Sequence, residues 1–313
     1  MKFLVRMAAA ATALLLATAG CSTTNSNPAA SSPGASGKKL QVVATTGYLG
    51  DAVKNIAPEA QVSVLVAPGG DPHTQALSTA DAERVQSADV VVWTSHDMEH
   101  HMMEQLDKLG KKQVAAGEAI PEADLLPWKE DGQVKGHDPH VWNSPDNWTH
   151  VVIAKKLSEI DAPNAAKYQA NAEAYNKKIM DMKKAAEAKF AKVPQERRIL
   201  ITGHDAFNYL GKAFGIEIHA TDFVSTEAQI SAAQIDELAT LVATKKVPVI
   251  FQDNLGNPAA IQAVKEAVKA KGWKVEISDT PLYADSLGES APTNTYLGVF
   301  EHNVDAIVKA MTA

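Results

Sequence analysis

The chain has 313 residues, of which 45% are hydrophobic, 21% charged and 6% aromatic, and its 30 Lys and Arg against 37 Asp and Glu leave a net charge of −7. This fits a globular protein of about two domains, and an acidic balance without any Lys/Arg block excludes a nucleic-acid-binding surface. The single cysteine, Cys21, excludes an internal disulfide framework and any cysteine-built zinc or iron–sulfur centre.

The chain starts with Lys2 and Arg6, followed by thirteen small or apolar residues, MAAAATALLLATA, at 7–19. That length suits the core of a signal peptide and is too short to span a bilayer. Thr18-Ala19-Gly20-Cys21 resembles the bacterial lipobox, with Thr where Leu is usual. Residues 1–20 are therefore expected to be a signal peptide, and Cys21 to be lipidated. Residues 22–38 read STTNSNPAASSPGASGK and hold no large apolar side chain. They cannot build a core, so 21–38 is expected to be a flexible tether with a reach of about 20–25 Å. No later run approaches eighteen apolar residues, which predicts a protein anchored to a membrane and not spanning it.

From residue 40 the pattern becomes α/β. LQVVATT, QVSVLVA and ADVVVWT are nearly continuous apolar runs, as expected of parallel strands buried on both faces. Helical stretches at 79–86 and 98–109 lie among them. Residues 164–193 contain neither Gly nor Pro and are rich in Ala, Lys and Glu, which favours one long helix. Tyr168, Tyr175, Ile179, Met182, Ala186 and Phe190 give it an apolar face. RRILIT, VPVIFQ and WKVEI then restart the strands, with helices at 232–244, 258–271 and 293–311. The expectation is two parallel-sheet α/β lobes, 39–163 and 194–313, joined by the 164–193 helix.

Three of the ten histidines sit in loops after apolar runs: His73 in GGDPHTQAL, His140 in GHDPHVWNS and His204 in LITGHDAFN. In α/β folds ligands bind beyond the carboxyl ends of strands. Two Asp-Pro-His triplets strengthen the case, because Pro fixes the backbone and the Asp can orient an imidazole. Asp285, in LYADSLGE, supplies an anionic oxygen. A second grouping is His96, His100 and Glu104 at i, i+4 and i+8. On a helix these share a face, giving either a solvated surface, the favoured reading, or an auxiliary metal site.

The ordered set GGDPHTQALSTAD, VVVWTSHDMEHHM, DPHVWNSPDN, TGHDAFNYLGKAFGI, STEAQISAAQI, VPVIFQDN and LYADSLGE resembles the metal-binding solute-binding lipoproteins of bacterial ABC importers, the zinc/manganese family, over residues 40–311. The resemblance implies two α/β lobes joined by a long helix, with the metal in the cleft between them. It places the ligand positions on His73, His140, His204 and Asp285. It implies Zn²⁺ or Mn²⁺ as the transported ion, an ABC permease and its ATPase as partners, a monomeric receptor and an extracytoplasmic, lipid-anchored location. Departures are Gln75 and Leu77 in the first motif, Thr94-Ser95 where Asn-Gly is common, and Asp253 where Glu is usual. Three imidazoles and a carboxylate disfavour copper(I) and an all-oxygen calcium or magnesium cage. They suit Zn²⁺ as a tetrahedral site, and Mn²⁺ if Asp285 is bidentate. The alternative is a zinc hydrolase on the same site, although no HExxH helix is present. A surface adhesin finds no support in any motif.

Overall fold

The computed structural model describes residues 39–130, 132–150, 153–224, 226, 230–255 and 258–312. The signal segment, Cys21 and the tether lie outside the described residues.

The first half is built on a parallel sheet of order β2-β1-β3-β4, with β1 Gln41–Ala44, β2 Gln61–Val64, β3 Val90–Trp93 and β4 Gln113–Ala115. β3 is buried throughout, which is why its sequence, VVVW, shows no polar alternation. Helix α1 (Gly47–Ile56) starts where Thr46 accepts the Leu49 N–H, and α2 (Thr79–Ser87) starts on a Ser78/Asp81 capping box.

The sequence pattern at 98–109 favours helix, but only Met103–Asp107, α3, is α-helical. Before it, Ser95, His96 and Asp97 all take left-handed backbone, with φ of 75°, 54° and 70°. The buried Glu99 carboxylate compensates by accepting the Thr94 and Ser95 N–H groups and the Thr45 hydroxyl, at 2.7, 3.1 and 2.6 Å. These bonds replace a helical turn.

An antiparallel hairpin, β5 (Pro127–Glu130) and β6 (Gln133–His137), precedes the short α4 (Pro145–Thr149) and α5 (Ile153–Ile160). The long helix α6 spans Ala165–Phe190 and buries Tyr168, Tyr175, Ile179, Met182, Ala186 and Phe190, the six residues of the predicted seam. Its 26 residues extend about 39 Å. It is shorter than the 164–193 pattern because Lys192 and Val193 turn back onto carbonyls three residues earlier, just before Pro194.

The second half repeats the first in topology. β7 (Ile199–Thr202) pairs in parallel with β8 (Glu217–Ala220), and β9 (Val249–Ile250) with β10 (Glu276–Ile277). A 2.8 Å bond from the Phe251 N–H to the Ile201 carbonyl places the pairs side by side as β8-β7-β9-β10. Helices α7 (Asn208–Phe214), α8 (Ala232–Lys245), α9 (Pro258–Ala270) and α10 (Tyr296–Thr312) complete it. One apolar cluster runs from Val42 and Ile56 through Ile179 and Phe190 to Phe214, Phe300 and Met311, so the halves share a core.

Candidate metal centre

Four loops deliver the four singled-out side chains to one point. His73 lies between β2 and α2, His204 follows β7 and Asp285 follows β10, all beyond the carboxyl ends of strands. His140 follows the hairpin strand β6. Their exposures are 2%, 1%, 0% and 0% for His73, His204, Asp285 and His140. Their donor atoms form the one group of three or more His, Cys, Asp or Glu among the described residues that lie within 4.8 Å of one another.

The spacing has chemical meaning. His140 Nε2 is 3.3 Å from His73 Nε2 and 3.1 Å from His204 Nε2. Asp285 Oδ1 is 3.3 Å from His140 Nε2, and Oδ2 is 3.0 Å from His204 Nε2 and 3.6 Å from His73 Nε2. A tetrahedral ion bound at about 2.0–2.1 Å holds its donors about 3.3–3.4 Å apart. The loops therefore set the donors at ion-binding separations, and both Asp285 oxygens face the cluster with no hydrogen-bond partner.

The two Asp-Pro-His triplets do different work. Asp138 Oδ1 is 2.7 Å from His140 Nδ1 and also accepts the His140 N–H at 3.0 Å. With the proton on Nδ1, the Nε2 lone pair points inward. Asp71 touches no imidazole; it accepts the backbone N–H of His73 at 2.9 Å and the Thr226 hydroxyl at 2.6 Å. Asp138 is held from the second half, by Asn208 Nδ2 on Oδ2 and the Tyr209 hydroxyl on its carbonyl.

Charge makes the cluster able to take a cation. Burial pushes His73 down to about 3. Burial also acts to lower His140, but the Asp285 and Asp138 carboxylates outweigh it and hold the imidazole up, at about 10. His204 is raised because Asp285 outweighs its burial. Burial acts to raise Asp285, yet His204 and His140 together hold it well below the usual carboxylate range. The cluster thus favours an ionised carboxylate beside raised imidazoles, a balance of charge that a dication could also supply.

The family model for ZnuA, the periplasmic zinc-uptake complex component A, matches residues 42–310. The chain belongs to this family. It is 34% identical over 298 residues to a manganese-binding lipoprotein, MntA, of Bacillus subtilis, covering 93% of this chain and 94% of that one. It is 34% identical over 283 residues to the zinc-binding protein TroA of Treponema pallidum, covering 88% and 90%. The solved structure of periplasmic zinc-binding TroA superposes with a TM-score of 0.82 at 32% identity, covering 88% of this chain and 99% of that chain. Members of the ZnuA family are substrate-binding components of extracytoplasmic metal import, working with an ABC permease and ATPase, and they are not enzymes. The hydrolase alternative is set aside on that ground.

The second histidine grouping does not assemble. Residues 96–102 are turns, so His96, His100 and Glu104 share no helix face. His100 Nδ1 lies 2.9 Å from Asp97 Oδ1, and Glu104 bonds Lys108 at 2.6 Å. His96 instead packs edge-on against His137, with ring centroids 5.4 Å apart. Two supporting groups escaped the sequence reading, Glu99 beneath the 94–97 turn and Asn254 beside Asp285. Both act on backbone groups, which leave no periodic or compositional mark.

Proposed function

We propose that this ZnuA-family protein is the extracytoplasmic receptor that captures Zn²⁺ or Mn²⁺ through His73, His140, His204 and Asp285 and presents it to the permease of an ABC importer. The observation that carries this reading is the converged cluster, sulfur-free and buried, with donor separations near the edge of a metal tetrahedron. Relatives named for manganese and for zinc support the pair of ions. With both oxygens of Asp285 facing inward the site offers five donor atoms, enough for Zn²⁺ at four and Mn²⁺ at five or more. The receptor works as a monomer, with lobes 39–163 and 194–313 joined through α6, and is carried on the 21–38 tether.

Calorimetric titration tests the reading. One ion is expected to bind per chain, with release of protons to the buffer. Unperturbed imidazoles would confine the pH dependence to below about 6.5. Here His140 stays protonated up to about 10 in the ion-free state. A raised imidazole must lose its proton before it can ligate, so affinity should climb from pH 6 to pH 8. The rise is about tenfold per unit for each proton displaced. A flat profile, or a stoichiometry of two, would overturn the single proton-exchanging site.

The lipid on Cys21 supplies the anchor in this reading, supported by the lipobox and by the lipoprotein names of relatives. Cys21→Ala should shift the protein from the membrane pellet to the soluble fraction with an unchanged melting temperature. Retention in the pellet would refute the anchor.

A further inference from the structure

Asp285 is the cluster's one carboxylate, and its oxygens meet only the cluster's own imidazoles, with no hydrogen bond from any group outside it. Both carboxylate oxygens are fully buried and have no partner beyond the imidazoles of the cluster. Their aim is therefore inherited from the backbone on either side of the residue. One side chain, Asn254, bonds that backbone on both sides of the residue. Asn254 Oδ1 accepts the Ala284 N–H at 3.0 Å, and Asn254 Nδ2 donates to the Ser286 carbonyl at 3.2 Å and to Ser286 Oγ at 2.8 Å. The backbone N–H and C=O at these contacts dictate which end of the amide is which.

Asn254 is itself fixed. Its N–H donates to the Leu282 carbonyl at 2.8 Å, next to a parallel bridge between Asp253 and Leu282. From the other half, Ser286 Oγ accepts the Gly69 N–H at 2.9 Å, and the Ala284 carbonyl accepts from the Tyr48 hydroxyl and Trp142 Nε1 at 3.0 and 3.1 Å. The 284–286 segment is thus framed from both halves, and Asn254 is the member of the frame that bonds the neighbours on both sides of Asp285, at the Ala284 N–H and the Ser286 carbonyl.

We infer that Asn254 is the positioning residue that keeps both oxygens of Asp285 on the bound ion, and that this sets how well the site holds Mn²⁺ relative to Zn²⁺. The inference rests on the reading that the cluster binds metal. Its logic is a difference in coordination number. Zn²⁺ is satisfied by four donors and tolerates a carboxylate bound through one oxygen, whereas Mn²⁺ needs further oxygen donors. A small turn of the 284–286 backbone swings one oxygen away, which removes a fifth donor and leaves a tetrahedron.

The experiment compares the wild-type protein with Asn254→Ala and Asn254→Asp by competition titration against Mn²⁺ and against Zn²⁺. The visible spectrum of the Co²⁺ form is recorded for each. Asn254→Asp preserves shape and the Oδ1 acceptor but cannot donate to Ser286, and it keeps the test open if Asn254→Ala fails to fold. Its added charge acts alike on both dications, so the ratio of affinities isolates geometry. Loss of an outer partner typically costs 10–100-fold in metal affinity. The Mn²⁺ affinity should fall by about that factor in Asn254→Ala, with a smaller loss for Zn²⁺. The Co²⁺ bands should intensify as the coordination number drops. Equal losses for the two ions, or unchanged affinities with an unchanged Co²⁺ spectrum, would overturn the inference. Wild-type protein that binds neither ion would instead overturn the metal-binding reading itself.

Discussion

His204→Ala and Asp285→Ala are each expected to weaken metal binding by well over the 10–100-fold that losing an outer-sphere partner costs. Each removes a donor from a cluster whose members are all within 2% of complete burial, so bulk water is poorly placed to fill the gap. Asp285→Ala should be the more severe, because it also deletes the cluster's one carboxylate and leaves a dication facing neutral rings. Thermal melting with and without ion makes the loss visible. Binding to the native state at a thousandfold excess over Kd stabilises by about 4 kcal/mol, or roughly 10 °C in melting temperature for a chain of this size. The variants should lose most of that shift. Unchanged affinity in either one would sink the cross-half site, since these residues come from the half that follows α6 while His73 and His140 come from the half before it.

Phe190→Ala should destabilise the ion-free protein by about 3–5 kcal/mol, the usual cost of hollowing out a packed aromatic. Phe190 is 1% exposed and closes the last turn of α6 against Phe214, with ring centroids 5.1 Å apart; Phe214 in turn meets Phe300 of α10 at 6.1 Å. Arg198 Nη2 also donates to the Phe190 carbonyl at 2.7 Å, which ties the helix end to the start of β7. Equilibrium denaturation measures the loss. Because the apolar cluster around Phe190 reaches into both halves, the transition should stay single and move to lower denaturant. Two separated transitions would show that the halves melt independently.

What the sequence disclosed follows from what kind of force each feature uses. The α6 seam was legible because its six buried residues repeat at helical spacing over a long, uninterrupted stretch. β3 and β7 were legible as dense apolar runs. β8 was missed because its four residues, EIHA, carry one large apolar side chain, and β4 because it spans only three residues. The hairpin β5–β6 is exposed along much of its length, and hydrophobic patterning is silent there. The 98–109 helix was overestimated because propensity counts Met, Glu and Leu but not a buried Glu99 that ties down the preceding turn. At the site, the histidines stood out through the Asp-Pro-His triplets and the family resemblance. Asp71 and Asp138 share a motif yet act differently, one on a backbone amide and one on an imidazole. That distinction depends on side-chain rotation, which sequence spacing does not encode.

The donor set has a consequence for the surroundings in which the receptor works. Thiolates are lost to oxidation in compartments that favour disulfides, and a cluster that relied on them would bind or release its ion according to the local oxidant supply. Imidazole nitrogens and a carboxylate do not climb that ladder of sulfur oxidation states. Beyond Cys21 the chain contains no cysteine, so a site built from the proposed ligands would hold its ion according to acidity and ion supply, indifferent to thiol–disulfide poise. Peroxide strong enough to inactivate a cysteine-bound zinc protein would leave the proposed ligands free of thiol oxidation.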